Sequence, residues 1–157
     1  MADSQPLPDT ADVAWLTESE QEAWRQLLRV LLRLPSAFDG LLRQADDLVL
    51  VEYNVMAFLS EAPGRSLKMT AIAAEADLSP SRLSHLIGRL EKRGWVLRHP
   101  ATDDKRVIMA TLTAEGYASV QRLAPRHVRD VRELVFDRLT AEQVDQLSRI
   151  AAAIAAR

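Results

Sequence analysis

The sequence predicts a mainly α-helical chain that carries one small β-hairpin, and three observations support this. Apolar residues recur at helical spacing in segment after segment, beginning with Trp24, Leu27, Leu28, Leu31 and Leu32. Glycines number only 5 and aromatics only 5% of residues, while Ala, Leu, Arg and Glu recur, a bias toward helix. After Gly94 alone, the apolar period changes from 3.6 to 2. At 157 residues, 48% hydrophobic and 27% charged, the chain suits one soluble globular domain. No cysteine is present, which excludes disulfides, thiolate nucleophiles, Cys-based zinc sites and thiol switches. No apolar run reaches the roughly 18 residues of a membrane span, and the first residues lack the pattern of a secretory signal. The expected location is the cytoplasm.

Taken in order, residues 1–12 hold Pro6 and Pro8 among small polar neighbours and read as a flexible arm. Residues 13–157 read as one domain. Thr17 to Glu20 is a T-x-x-E capping box, which starts the first helix. Its stripe continues through Phe38, Leu41 and Leu42, with a kink or break expected near Pro35, where one backbone donor is missing. A second helix fits residues 51–60 and stops at Ala62-Pro63-Gly64; a third fits residues 69–76. Ser79 then serves as N-cap and Pro80 as the first residue of a fourth helix, which ends at Gly94. Leu83, Leu86, Ile87 and Leu90 form its inner stripe; Ser81, Arg82, Ser84, His85, Gly88 and Arg89 face out. Residues 95–98 and 107–112 read as strands around a polar loop. Thr113 caps a helix reaching about Leu134, with Pro125 expected to disturb it, and a box at Thr140 opens the last helix.

Charge is not spread evenly. Residues 79–106 hold seven Lys/Arg against three Asp/Glu, a local +4, which leaves −6 for the remainder of a chain whose net charge is −2. A focused basic patch on an acidic protein attracts a polyanion locally and discourages indiscriminate sticking elsewhere. By itself the patch also suits a merely solvated helix face. The surrounding pattern adds to it. Two short helices joined by a tight turn make a helix-turn-helix, and a hairpin directly after the second helix makes a wing. Short hydroxyls let a helix backbone approach base edges, and cations meet phosphates and guanines. Lys105 and Arg106 in the wing loop suit a narrow, electronegative minor groove, with Asp104 placed to aim the Arg106 guanidinium.

The stretch from ADLSPSRLSHLIGRLEKRGWV to the D-x-R…LT-x-x-G signature, here Asp104 to Gly116, resembles the core of the MarR (multiple antibiotic resistance regulator) family of transcription factors. The likeness extends in pattern over nearly all of the chain beyond residue 12. It implies a winged helix-turn-helix lobe over about residues 50–112, with dimerisation helices over about 17–45 and 113–157. It further implies a homodimer on a pseudo-palindromic double-stranded operator, acting as a regulator, most often a repressor. Carried over by position, the DNA-binding set is Ser79, Ser81, Arg82, Ser84, His85 and Arg89, with Asp104, Lys105 and Arg106 in the wing. Independently, Leu/Ala-rich helices at both ends carry more apolar surface than one small lobe covers; two-fold pairing would bury it and set recognition helices about 34 Å apart. A monomeric bundle with its ends packed together is the alternative.

No enzymatic site is expected. His85, His99 and His127 fall on different elements without metal-ligand spacing, and the phosphate-loop, dinucleotide, G-x-S-x-G and H-E-x-x-H motifs are absent. No cofactor or metal is expected either. The resemblance does imply a small aromatic acid effector that enters between dimer helices and lobe. Trp15, Trp24, Tyr53 and Met56 lie on the segments that would line such a cleft, with Arg25 or Arg65 to meet a carboxylate. The plainer reading of these aromatics and Met56 is core and interface filler. Two rival functions stay open: a constitutive DNA binder without an effector, and a winged lobe that binds protein.

Overall fold

The structure, a computed structural model, describes residues 13–156; the arm expected over residues 1–12 lies outside them. The chain divides into two compact units, one up to Leu34 and one from Pro35 on. Helix α1 (Glu18–Asp46) contributes to both. Its start is the expected capping box: the Glu20 carboxylate accepts the Thr17 N–H at 2.7 Å, and Thr17 Oγ1 accepts the Glu20 N–H at 3.3 Å. Of the kink or break expected near Pro35, the break does not occur; α1 is one helix across it. A proline removes one ladder bond, and its ring crowds the preceding turn, but 28 other residues hold this helix. In the first unit every described residue except Leu27 is exposed up to Arg33.

The second unit contains the winged lobe. Helix α2 (Leu50–Glu61) follows a sharp turn at Asp47 and Leu48. Asp39 Oδ1 accepts the Leu50 N–H at 2.7 Å, so a side chain from α1 caps α2 across the turn. A short 3-10 turn (Pro63–Arg65) leads into strand β1 (Ser66–Lys68), then helix α3 (Met69–Glu75) and helix α4 (Pro80–Lys92). Strands β2 (Val96–Pro100) and β3 (Ile108–Leu112) form the hairpin. Helix α5 (Ala114–Leu134) runs as one helix through Pro125, and α6 (Ala141–Ala155) follows the Thr140 capping box.

The sheet holds one more strand than the pattern suggests. Its order is β1-β3-β2, all antiparallel, with Ser66 opposite Thr111 and Leu97 opposite Thr111 on the other side. Ser66-Leu67-Lys68 is too short to show a period of two; it is a strand because β3 offers its backbone partners. Helices α2 to α5 and the sheet enclose one apolar core, including Met56, Leu59, Ile72, Leu83, Ile87 and Val96. The junction after the wing is tight. A Cβ on Gly116 would lie 2.3 Å from the Trp95 carbonyl oxygen, so only glycine lets α5 start against that strand. Helix α6, in contrast, buries none of its residues.

Candidate nucleic-acid interface

Helix α4 is built as the sequence suggests. Ser79 Oγ accepts the Arg82 N–H, and Pro80 occupies the first turn, where its absent donor costs nothing. At the far end Gly94 adopts φ +73°, and the Gly94 and Trp95 N–H groups close back on Glu91 and Leu90 carbonyls. Leu83, Leu86, Ile87 and Leu90 are buried, which fixes the helix's roll. Ser81, Arg82, Ser84, His85 and Arg89 are consequently exposed together on one face, with Ser79 at its start.

The cations of this region are not equivalent. Arg82 is exposed on the outer face of the helix. Arg89 is partly spoken for: its Nε donates to Glu52 Oε1 at 2.6 Å. Glu52 is only 7% exposed, and its second oxygen accepts the Val49 N–H at 3.1 Å. A carboxylate out of water is costly unless its oxygens are hydrogen-bonded, and both oxygens of Glu52 are. The pair therefore ties α4 to the start of α2, although the Arg89 side chain keeps 56% of its surface in solvent. Arg93 serves structure. Its guanidinium lies 3.7 Å over the Trp95 ring and donates to the carbonyls of Asp46 and Asp47, which end α1. Asp46 also accepts from Ser119 and Arg122 of α5, so one carboxylate joins three elements.

The wing loop presents Arg106, whose side chain is 92% exposed. Asp104 accepts from its backbone N–H at 3.0 Å and from Nε and Nη2, each at 3.1 Å. The Arg106 side-chain bond, then the backbone bond, holds the Asp104 carboxyl below the usual aspartate range. Asp104 thus aims Arg106 and leaves its charge outermost, as its position two residues upstream suggested. Lys105 is exposed beside it. At the wing's stem, His99 Nε2 and Ser66 Oγ both hydrogen-bond Thr111 Oγ1, at 2.8 Å each, linking all three strands.

This arrangement of buried stripe, polar outer face and basic wing has close counterparts. Residues 46–107 match the sequence profile of the MarR family. Sco3205 of Streptomyces coelicolor, a MarR family transcriptional regulator solved in complex with DNA, is 42% identical with a TM-score of 0.89, over 92% of this chain and 91% of that one. This chain belongs to the MarR family. AbsC, a second MarR family regulator of Streptomyces coelicolor, is 34% identical with a TM-score of 0.86, over 91% of this chain and 96% of its own. The transcriptional repressor Rv2887 of Mycobacterium tuberculosis is 34% identical over 103 residues, 66% of this chain and 72% of that protein. These MarR relatives are transcriptional regulators and not enzymes.

Among the described residues of this MarR-family chain, no helix is long and apolar enough to cross a membrane. No group of three or more His, Cys, Asp or Glu among them is placed to hold a metal ion. The residues suggested for an effector cleft have varied surroundings. Within the first unit Trp15 is 74% exposed, Trp24 is half-exposed and Arg25 pairs with Glu22 at 3.0 Å. Within the second, Met56 is wholly enclosed in the lobe core, and the Arg65 guanidinium lies 3.5 Å over the Tyr117 ring. Tyr53 is buried against His127, ring centroids 4.4 Å apart, and the Phe38 ring lies 5.6 Å from His127. His127 Nδ1 is buried with no hydrogen-bond partner, and burial pushes the imidazole below its ordinary value, partly offset by Asp130.

Sequence reasoning did not single out Glu52, Asp46, Glu91 or Arg98. Glu52 and Asp46 act across long sequence separations, which no local pattern shows. The seven-residue spacing of Glu91 and Arg98 across the Gly94 turn was a legible signal: a strand that doubles back along its helix brings them level.

Proposed function

We propose that this chain is a homodimeric, sequence-specific regulator, most simply a repressor, that binds a pseudo-palindromic double-stranded DNA operator. The observation that carries this is the shared exposure of Ser81, Arg82, Ser84, His85 and Arg89 on α4 with an Arg106 aimed outward by Asp104. Short polar side chains on a rigid helix suit the major groove, and a projecting guanidinium suits the minor groove. The complex of Sco3205 with DNA supports the same reading. For the dimer, the support is apolar surface: Trp24, Leu28, Leu31 and Leu32 on α1, and Leu147, Ile150 and Ile154 on α6, are exposed. An apolar stripe left exposed along a helix marks an interface.

The proposal includes release by a small aromatic anion. Its support is the buried, unpartnered His127 Nδ1 against the Tyr53 and Phe38 rings, a polar atom that a ligand's carboxyl or hydroxyl would satisfy where those rings part to admit it. Such a ligand must bind the DNA-incompetent state more tightly to shift the equilibrium.

Mobility-shift and footprinting assays on DNA flanking the chain's own coding region test the reading. Arg82→Ala with Arg106→Ala should weaken operator binding about a hundredfold, leave the dimer intact and flatten the salt dependence. Unchanged DNA affinity would favour a protein-binding lobe. A thermal-shift panel of aromatic acids tests release; no stabilisation at saturation would leave a constitutive binder.

A further inference from the structure

We infer that Arg98, at the stem of the wing, sets the base preference of the recognition helix by fixing Ser84 as a hydrogen-bond donor; this rests on the DNA-binding reading above. Each of the three Arg98 guanidinium nitrogens is held within its own protein. Nε and Nη2 donate to Glu91 Oε2 at 3.0 and 2.5 Å, and the Arg98 backbone N–H donates to Glu91 Oε1 at 3.1 Å. With the fork pinned on Glu91, the remaining nitrogen, Nη1, points at Ser84 and donates to its Oγ at 3.2 Å. Glu91 responds as a true partner: the Arg98 hydrogen bonds draw its carboxyl below the usual glutamate range.

The chemical consequence lies in the serine. A hydroxyl has one donor and two lone pairs, and in a groove it pairs with donor or acceptor edges alike. A guanidinium N–H directed at Ser84 Oγ takes one lone pair and sets the edge of a cationic group beside the other. A second donor, such as the cytosine N4 amino group, is then repelled, and the Ser84 O–H is turned outward. Ser84 becomes selective for acceptor edges: guanine N7 and O6, thymine O4 or adenine N7. Arg98 and Glu91 are positioning residues that need not touch DNA.

In vitro selection from a pool of duplexes carrying a randomised segment tests this with the full-length protein, comparing wild type, Ser84→Ala, Arg98→Ala, Glu91→Gln and the double variant Ser84→Ala/Arg98→Ala. Melting temperature and dimer mass check the fold, and the near-isosteric Glu91→Gln keeps the test valid if Arg98→Ala fails to fold. Ser84→Ala identifies the base column that Ser84 reads. Arg98→Ala and Glu91→Gln should relax guanine or thymine over cytosine in that column about three- to tenfold, the scale of one hydrogen bond. Other columns should be spared, and the double variant should add nothing to either single one. Preference kept in that column by Arg98→Ala, an equal weakening of every column, or no column altered by Ser84→Ala overturns the inference. A wild type that selects no sequence at all overturns the DNA-binding reading itself.

Discussion

In α4, Leu83, Leu86, Ile87 and Leu90 are buried while the hydroxyls and cations face out; in α6, Leu147, Ile150 and Ile154 face out and nothing is buried. Residues 18–34 of α1 behave like α6, with Leu31 and Leu32 exposed. Both kinds of helix are amphipathic by sequence, yet only the lobe satisfies its apolar side within the chain. The lobe's polar face is therefore left over for an outside partner by design of its core, whereas the terminal helices leave over an apolar face. The first kind of surface suits a hydrated polyanion. The second suits another protein surface, most economically its own twin.

Charge placed on the apolar side should break that contrast most severely. Leu32→Glu combined with Ile154→Glu should convert dimer to monomer in sedimentation velocity and abolish operator binding with it, because a charge is costly to bury without a partner. A wild type that sediments as a monomer would end the comparison. Next in size, Arg82→Ala with Arg106→Ala should cost about a hundredfold in operator affinity without changing the sedimentation coefficient.

Two glycine substitutions sharpen the contrast inside the lobe. Gly116→Ala should destabilise by about 1–3 kcal/mol in denaturant melts, since its methyl would collide with the Trp95 carbonyl and Leu112. Gly88→Ala meets nothing within 4 Å and should stabilise by about 0.5–1 kcal/mol. The smallest effect is a slope. Burial holds His127 below the ordinary histidine value of 6.5, so the unfolded chain takes up the proton first. Its contribution to stability should be fully present above about pH 6.5 and be lost progressively as pH falls from there through the lower value of the folded protein. His127→Phe should remove that part of the acid sensitivity in melts across the range.

Much of this molecule was legible because its signals are local. The caps at Thr17, Ser79, Thr113 and Thr140, the left-handed Gly94 and the period change after it fix α1, α4, β2, α5 and α6 to within a few residues. The outward face of α4 follows from the same periodicity, since its opposite stripe is apolar. A break was the one outcome excluded at the prolines: Pro35 and Pro125 each remove one donor, and the long helices run on across them.

The amino-acid order alone therefore determined which segments become helix or hairpin and which face of α4 is polar, because capping, turn chemistry and hydrophobic period act over only a few residues. Tertiary structure alone decided that Ser66 to Lys68 form a strand, that Glu52 restrains Arg89, that Asp46 joins α1 to α4 and α5, and that Arg98 turns toward Ser84. Each of those depends on groups meeting across folded space. An ion pair or ladder bond has no strength until the core has placed both partners within about 3 Å.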